Sequence, residues 1–192
     1  PGKLFNPGKI VNPHKMDDRN IMRFAPGYEP IELNTKLDWS EWGGFNRAVE
    51  MCNNNGACRK ADVGTMCPSY RITKDERHLT RGRANTLRLA ITGQLGQNAF
   101  SSEEMYETMD LCVSCKGCKR ECPTGVDMAK MKIEFLNSYH QRHGTRLRER
   151  LFAYLPRYAP ALKSVSFLMN LRDQIPGLAK ISEWLFGLSS RR

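Results

Sequence analysis

Apolar residues first fall into a helical rhythm at position 39. Trp39, Trp42, Phe45, Val49 and Cys52 are spaced by three or four residues and form one stripe, the spacing of a helix with a single buried face. Asp38 or Ser40 can cap that helix, which delivers the chain to its first cysteine. A second helix is predicted over residues 75–95, with Thr73 as its cap and Glu76 three residues on, a reciprocal capping pattern. Leu79, Leu87, Leu89, Ala90 and Ile91 are its expected buried residues, and Gly93 and Gly96 its end. Ser101 or Ser102 caps a third helix over 103–111, with Glu103 and Glu104 in the first turn, where the helix dipole favours negative charge. A fourth helix over 126–143 carries Met128, Met131, Phe135 and Tyr139 on one side and stops at Gly144. Pro156, Pro160 and Pro176 are expected to cut the remainder into short helices, with Trp184, Leu185 and Phe186 near the end.

Before position 37 the rhythm is absent. Asn6-Pro7-Gly8, Asn12-Pro13 and Ala25-Pro26-Gly27 are turn signals, and no strand alternation follows residue 36. The expected class is therefore all-α. Three segments are expected: an irregular stretch 1–36, a cysteine-bearing helical domain 37–145, and a basic extension of short helices 146–192 leading toward a following domain. The opening at Pro1 rather than Met reads as a piece of a longer polypeptide.

Charge is unevenly spread. The net charge is +10, and from Lys130 onward twelve Lys/Arg face four Asp/Glu, so eight of those ten charges lie there. Nucleic acid or an anionic membrane surface would be attracted to such a tail. No nucleic-acid recognition motif accompanies it, so the favoured reading is a solvated helix face or one that docks an acidic neighbour, without nucleic acid as a partner. No run of eighteen apolar residues suits a transmembrane helix, and the opening lacks the apolar centre of a secretory signal. His14, His78, His140 and His143 are scattered, and no nucleophile–base pair is visible, so no catalytic residue is assigned.

Seven cysteines, at 52, 58, 67, 112, 115, 118 and 122, are odd in number and without a secretion signal. They read as thiolate ligands in a reducing compartment. Cys112, Cys115, Cys118 and Cys122-Pro123 form a C-x2-C-x2-C-x3-C-P run, the spacing of bacterial two-cluster ferredoxins. Three thiolates around one tight loop can hold three irons of one cubane, while the fourth cysteine of such a run ligates the other cluster. Gly117 would let the backbone pass close and adopt an unusual φ, and Pro123 would start the next helix. Zinc instead takes cysteines as separated pairs in sets of four.

Upstream, Cys52 and Cys58 repeat the six-residue separation of Cys112 and Cys118, with Asn55 where the middle cysteine would stand, and Cys67-Pro68 follows. Crossed ligation then gives one cluster Cys67, Cys112, Cys115 and Cys118, a full set for [4Fe–4S]. The other has Cys52, Cys58 and Cys122, with Asn55 near the missing position, and suits [3Fe–4S] or a [4Fe–4S] with one iron bound by oxygen or solvent. The alternative is a single cluster, with Cys52 and Cys58 as core residues. Arg59, Lys60, Lys116, Lys119 and Arg120 can offset the negative charge of a cysteinyl cluster and tune its potential.

Cys58-Arg59, Met66-Cys67-Pro68-Ser69-Tyr70-Arg71, Asp75-Glu76-Arg77-His78 and Arg81-Gly82-Arg83-Ala84-Asn85, with the opening Leu4-Phe5-Asn6-Pro7-Gly8-Lys9-Ile10, resemble a family of large FAD-linked dehydrogenases fused to an iron–sulfur oxidoreductase half. These are relatives of D-lactate dehydrogenase and glycolate oxidase, and the resemblance is greatest to the bacterial D-2-hydroxyglutarate dehydrogenases of the fused type. It covers roughly residues 1–145 and is specific over 52–125. It implies an α-helical ferredoxin fold at 37–145, preceded by the tail of an FAD-linked oxidase domain and a linker. The implied function is to pass electrons from FAD, reduced by a D-2-hydroxy acid, to a non-NAD acceptor. A cytoplasmic location goes with it, with peripheral contact at the inner membrane left open. No FAD-binding domain or downstream cysteine-rich repeat domain stands in this chain, so only the cysteines are carried over. A stand-alone ferredoxin-like electron-transfer subunit of a multi-subunit oxidoreductase is the alternative.

Overall fold

A computed structural model describes residues 7–21, 27–61 and 63–190. Residues 4–6 of the opening motif and the Ala25-Pro26 turn signal lie outside them. The chain divides into two compact units, Pro1–Tyr139 and His140–Arg192. Among the described residues there is no sheet, only an isolated bridge between Pro7 and Val11, and the chain is all-α.

In the first unit the predicted opening helix is two pieces. A 3-10 turn, Ser40–Trp42, precedes helix α1, Phe45–Glu50. Between them Gly43 (φ 71°) and Gly44 (φ 124°) take backbone angles closed to most side chains, which breaks the helix without breaking the stripe. Trp39, Phe45, Val49 and Cys52 are all buried, and Trp42 is half-buried. Neither Asp38 nor Ser40 caps α1, which starts after Gly44 without a side-chain cap; Asp38 instead accepts the Ser40 N–H at 2.9 Å at the start of the 3-10 turn.

Helix α2, Pro68–Thr73, carries its proline in the first turn, where the missing N–H costs nothing. The predicted 75–95 helix is also divided, into a 3-10 turn Glu76–His78 and α3, Thr80–Ile91. Asp75 caps the turn by accepting from Arg77 N–H at 2.9 Å. Thr73 instead closes α2, its hydroxyl donating to Ser69 O at 3.0 Å. A Cβ on Gly82 would lie 1.9 Å from Glu76 O, so only glycine lets α3 start this close to the turn. α3 ends as expected: Gly93 (φ 74°) donates to Ala90 O and Gln94 to Leu89 O, the paired bonds of a Schellman stop. Leu79, Leu87, Ala90 and Ile91 are buried, and Leu89 is half-buried.

Helix α4, Glu103–Asp110, is capped by Ser102, which accepts from Met105 N–H at 3.2 Å. A short α5, Gly117–Glu121, lies inside the second cysteine run. α6, Met128–His143, opens on Asp127, which accepts from Lys130 N–H at 3.0 Å. The expected stripe of Met128, Met131, Phe135 and Tyr139 is buried. Edge-on aromatic contacts join Trp39 to Phe45 (5.0 Å), Phe45 to Phe100 and Phe100 to Phe135 (6.0 Å each), so one aromatic ladder ties the first segment to α6.

Glu134 of α6 is buried at 3% exposure. Its carboxylate accepts from the backbone N–H of Lys36 and Leu37 and from Trp39 Nε1. It therefore fixes where the chain enters the domain. Lys130, one turn earlier, sits 4.2 Å from the Trp39 ring centre.

In the second unit α7, Leu147–Leu162, runs through Pro156 and Pro160, against the expectation that both would cut it. No residue of α7 is buried, so a local bend at either proline meets little packing that would resist it. Only Pro176 falls between helices, separating α8, Ser166–Gln174, from α9, Leu178–Phe186. Among the described residues no helix is long and apolar enough to cross a membrane.

Removing the Glu134 carboxylate leaves the buried Trp39 Nε1–H and the N–H groups of half-buried Leu37 and exposed Lys36 without their acceptor. Glu134→Ala is expected to lower unfolding free energy by about 3 kcal/mol in urea denaturation, and Glu134→Gln by roughly half of that. A loss below about 0.5 kcal/mol for the alanine variant would show that Glu134 does not anchor the entry segment.

Candidate metal centre

The second cysteine run leaves α4 at Asp110 and turns at once, with Cys112 N–H donating to Met109 O at 3.0 Å. Ser114 (φ 52°) and Lys116 (φ 58°) bend the backbone between the cysteines. Gly117 is not the left-handed residue the sequence suggested. Its role is close approach: a Cβ there would lie 3.3 Å from both Met66 N and the Thr65 side chain, and 3.6 Å from Cys115 Sγ. Pro123 does not start a helix either. It sits in a turn closed by Gly125 N–H to Cys122 O at 2.9 Å, and α6 begins later, at Met128.

Opposite this loop stands Cys67, the residue before α2. The two loops are held together by Glu121, whose carboxylate accepts Thr65 N–H at 2.7 Å and Met66 N–H at 2.9 Å. Cys67, Cys112, Cys115 and Cys118 line one pocket, together with Arg83 and Lys116. Cys52, Cys58 and Cys122 do not line it. Cys67 and Cys118 are buried, Cys112 is half-buried and Cys115 is exposed.

Helix starts and turns aim N–H groups at the sulfurs. Burial pushes the Cys118 thiol up, while the Met128 N–H at the start of α6 pulls it down. Burial also raises Cys58, against the backbone N–H and charge of Arg81 in the first turn of α3, and Cys52 lies within electrostatic reach of it. For Cys122 burial is outweighed by the Thr124 hydroxyl, at 3.3 Å, and by the N–H groups of Val126, Thr124 and Gly125, so this thiol is held below its ordinary value. Asn55 Oδ1 accepts from Ala57 N–H at 2.8 Å within its own loop. The amide beside Cys52 is that of Asn54, 3.8 Å from its sulfur.

Of the basic residues read from sequence, Lys116 lines the pocket. Lys119 pairs with Asp127 at 3.4 Å and Arg59 with Glu76 at 3.1 Å, while Lys60 and Arg120 are exposed. Two cations escaped the sequence reading. Arg83 is fully buried, and its Nη1 lies 3.7 Å from Cys67 Sγ. Lys132 donates to Cys112 O at 2.7 Å and Asp110 O at 3.0 Å. Only the helical register, which turns both toward the cysteines, could have marked them.

The residues fit an iron–sulfur cluster. Among the described residues no three His, Cys, Asp or Glu side chains converge on one point as a single metal ion requires. Four cysteines instead line one pocket, the number a [4Fe–4S] cluster takes. Arg83 Nη2 is buried without a hydrogen-bond partner in the wall of that same pocket, which suits an anionic group. Residues 48–126 match the 4Fe-4S dicluster domain.

Beyond the dicluster domain, the chain is similar to curated D-2-hydroxyglutarate dehydrogenases over nearly its whole length. It is 30% identical to that of Pseudomonas putida over 88% of this chain. Identity is 27% to the Escherichia coli protein and 28% to the Pantoea ananatis protein, each over 98% of this chain. The chain spans about a fifth of the length of these relatives, 20% to 22%. No solved structure matches it. The resemblance read from the motifs is thus met by these relatives, and the dicluster match agrees with an iron–sulfur segment.

Glu121 gives the dicluster domain a pH dependence. The N–H groups of Thr65 and Met66 hold its carboxyl below the usual carboxylate range, with Arg71 and Arg120 adding to the effect. A depressed folded-state pKa stabilises above the ordinary value of 4.5 and is lost as pH falls through the depressed one. Hydrogen-exchange protection of Thr65 and Met66 is therefore expected to fall as the solution is acidified below the ordinary carboxyl value of 4.5. Glu121→Ala should lose the same protection at neutral pH, and unchanged protection in that variant would contradict this.

Proposed function

We propose that this chain is the iron–sulfur electron relay of a flavin-dependent D-2-hydroxy acid dehydrogenase acting on D-2-hydroxyglutarate. It takes electrons from an FAD-linked oxidase domain and delivers them to a non-NAD acceptor. Residues 1–36 are the tail of the preceding oxidase domain with a linker, 37–145 the α-helical ferredoxin domain, and 146–192 a basic extension. Cys67, Cys112, Cys115 and Cys118 would hold a [4Fe–4S] cluster. Cys52, Cys58 and Cys122 would hold a second, [4Fe–4S] or [3Fe–4S]. Bound clusters supply one-electron transfer at potentials set by net charge, hydrogen bonds and exposure.

The observation that carries this reading is that the pocket takes Cys67 and omits Cys122. A cysteine far upstream replaces the one four residues away, the crossed pattern of two-cluster ferredoxins. The chain's own residues then have clear tasks. Glu121 and Gly117 hold the two loops at contact distance, the N–H groups at the α6 start and the 122–126 turn face thiolate sulfur, and α3 and α6 exclude water from one side of the pocket.

A peripheral membrane contact of the second unit is a further part of the proposal. Its support is a basic surface that also exposes Phe152, Trp184 (84%) and Leu185, the makeup of helices that lie at anionic interfaces. Sedimentation with anionic vesicles tests it, and failure to sediment at low salt would remove it.

Protein purified without air is expected to contain about seven to eight iron atoms per chain with matching sulfide. Oxidised [3Fe–4S] gives an electron paramagnetic resonance signal where oxidised [4Fe–4S] gives none, which identifies the second cluster. In the full-length protein D-2-hydroxyglutarate should bleach the clusters, and Cys115→Ala should still reduce flavin while slowing acceptor reduction. Zinc without sulfide, or clusters that stay oxidised with substrate present, would contradict the relay.

A further inference from the structure

We infer that Arg83 is a positioning residue that raises the reduction potential of the cluster held by Cys67, Cys112, Cys115 and Cys118, by presenting a buried guanidinium to it; this inference rests on the relay reading above. Arg83 is fully buried. Its Nε donates to Thr108 O at 2.9 Å, and its Nη1 donates to His78 O at 2.7 Å and lies 3.1 Å from Ser69 Oγ and 3.7 Å from Cys67 Sγ. These contacts fix the plane of the side chain. Nη2 is buried with no partner, and the side chain lines the four-cysteine pocket.

The charge of Arg83 has no carboxylate to meet it: among the described residues it makes no ion pair. A buried cation without a counter-charge is strongly disfavoured. A second cation stands nearby. Lys132 is half-buried, is held by the carbonyls of Asp110 and Cys112, and feels the Arg83 charge. Lys132 lies behind the Cys112 backbone rather than in the wall and has the Asp110 charge near it, so it is Arg83, in the wall itself, that calls for an anion inside the pocket. Four thiolates outweigh the positive charge of an iron–sulfide core, so the bound group is that anion. Its reduction takes up one electron and adds one negative charge, with no bond made or broken. A fixed cation in a water-poor wall therefore favours the reduced form. Ser69 and His78 act through Arg83 by holding its fork.

The test is a potential titration, followed by electron paramagnetic resonance, of the full-length enzyme purified without air. The unsubstituted protein is compared with Arg83→Gln and Arg83→Lys, and iron and sulfide are counted in each. Arg83→Gln is expected to disfavour reduction of one cluster by about tenfold, roughly 59 mV for one electron. Arg83→Lys, which keeps the charge, should recover at least half of that. The cluster assigned to Cys52, Cys58 and Cys122 should move much less and serves as the internal control. A change under twofold in Arg83→Gln, or an equal shift of both clusters, would overturn the inference and leave Arg83 a structural brace. Absence of iron from the unsubstituted protein would overturn the relay reading itself. Should Arg83→Gln fail to hold iron, unsubstituted protein labelled with ¹⁵N in its arginine side chains decides the matter. A nitrogen coupling on the reduced cluster that is absent from Arg83→Lys supports the inference, and no coupling overturns it.

Discussion

One carboxylate gripping two consecutive backbone N–H groups holds the candidate centre together. Glu121 stands one residue before the last cysteine of the second run, and the amides it binds, Thr65 and Met66, stand just before Cys67. The chain between these points builds α2, α3 and α4, so the grip closes a long excursion into one local site. Gly117 completes it, since any side chain there would push against Met66 N and Thr65. Without this junction the three cysteines of the tight loop would face solvent and Cys67 would be only the cap of a short helix.

The surrounding packing keeps the junction from drifting. Glu134 fixes the entry segment to α6, the aromatic ladder runs from Trp39 to Phe135, and α6 begins on Asp127, which also pairs with Lys119 of α5. The core is thus arranged around the cysteine loops. The cysteines face N–H groups and cations from several elements: Met128, Arg81, Val126, Arg83 and Lys132. Burial still raises Cys58 and Cys118, while the Thr124 hydroxyl and the turn N–H groups hold Cys122 below its ordinary value.

The helical stripes and the cysteine run were readable because periodicity and ligand spacing are local facts. Trp39, Phe45 and Val49, and Met128, Met131 and Phe135, are buried as their spacing implied. The errors came where non-local packing decides. A Gly-Gly pair broke the first helix, and Asp75 rather than Thr73 caps the next turn, the Thr73 hydroxyl being engaged with Ser69 O at the end of α2. Pro156 and Pro160 were over-read as breaks, since an exposed helix tolerates bends that a packed one would not. Arg83 looked like any residue of the Arg81-Gly82-Arg83 run, and Glu121 like any charge between cysteines. Their roles depend on which element faces them across the fold, and no spacing rule carries that.

The central claim is that Cys67, not Cys122, completes the set with Cys112, Cys115 and Cys118. The most direct measurement is electron paramagnetic resonance, with iron counts, on anaerobically prepared Cys67→Ser, Cys115→Ser and Cys122→Ser variants. Crossed ligation predicts that Cys67→Ser and Cys115→Ser disturb the same spectral component while Cys122→Ser disturbs the other. If Cys122→Ser and Cys115→Ser alter the same component and Cys67→Ser leaves it intact, the four cysteines of the run bind one cluster by themselves and the account of the site is wrong.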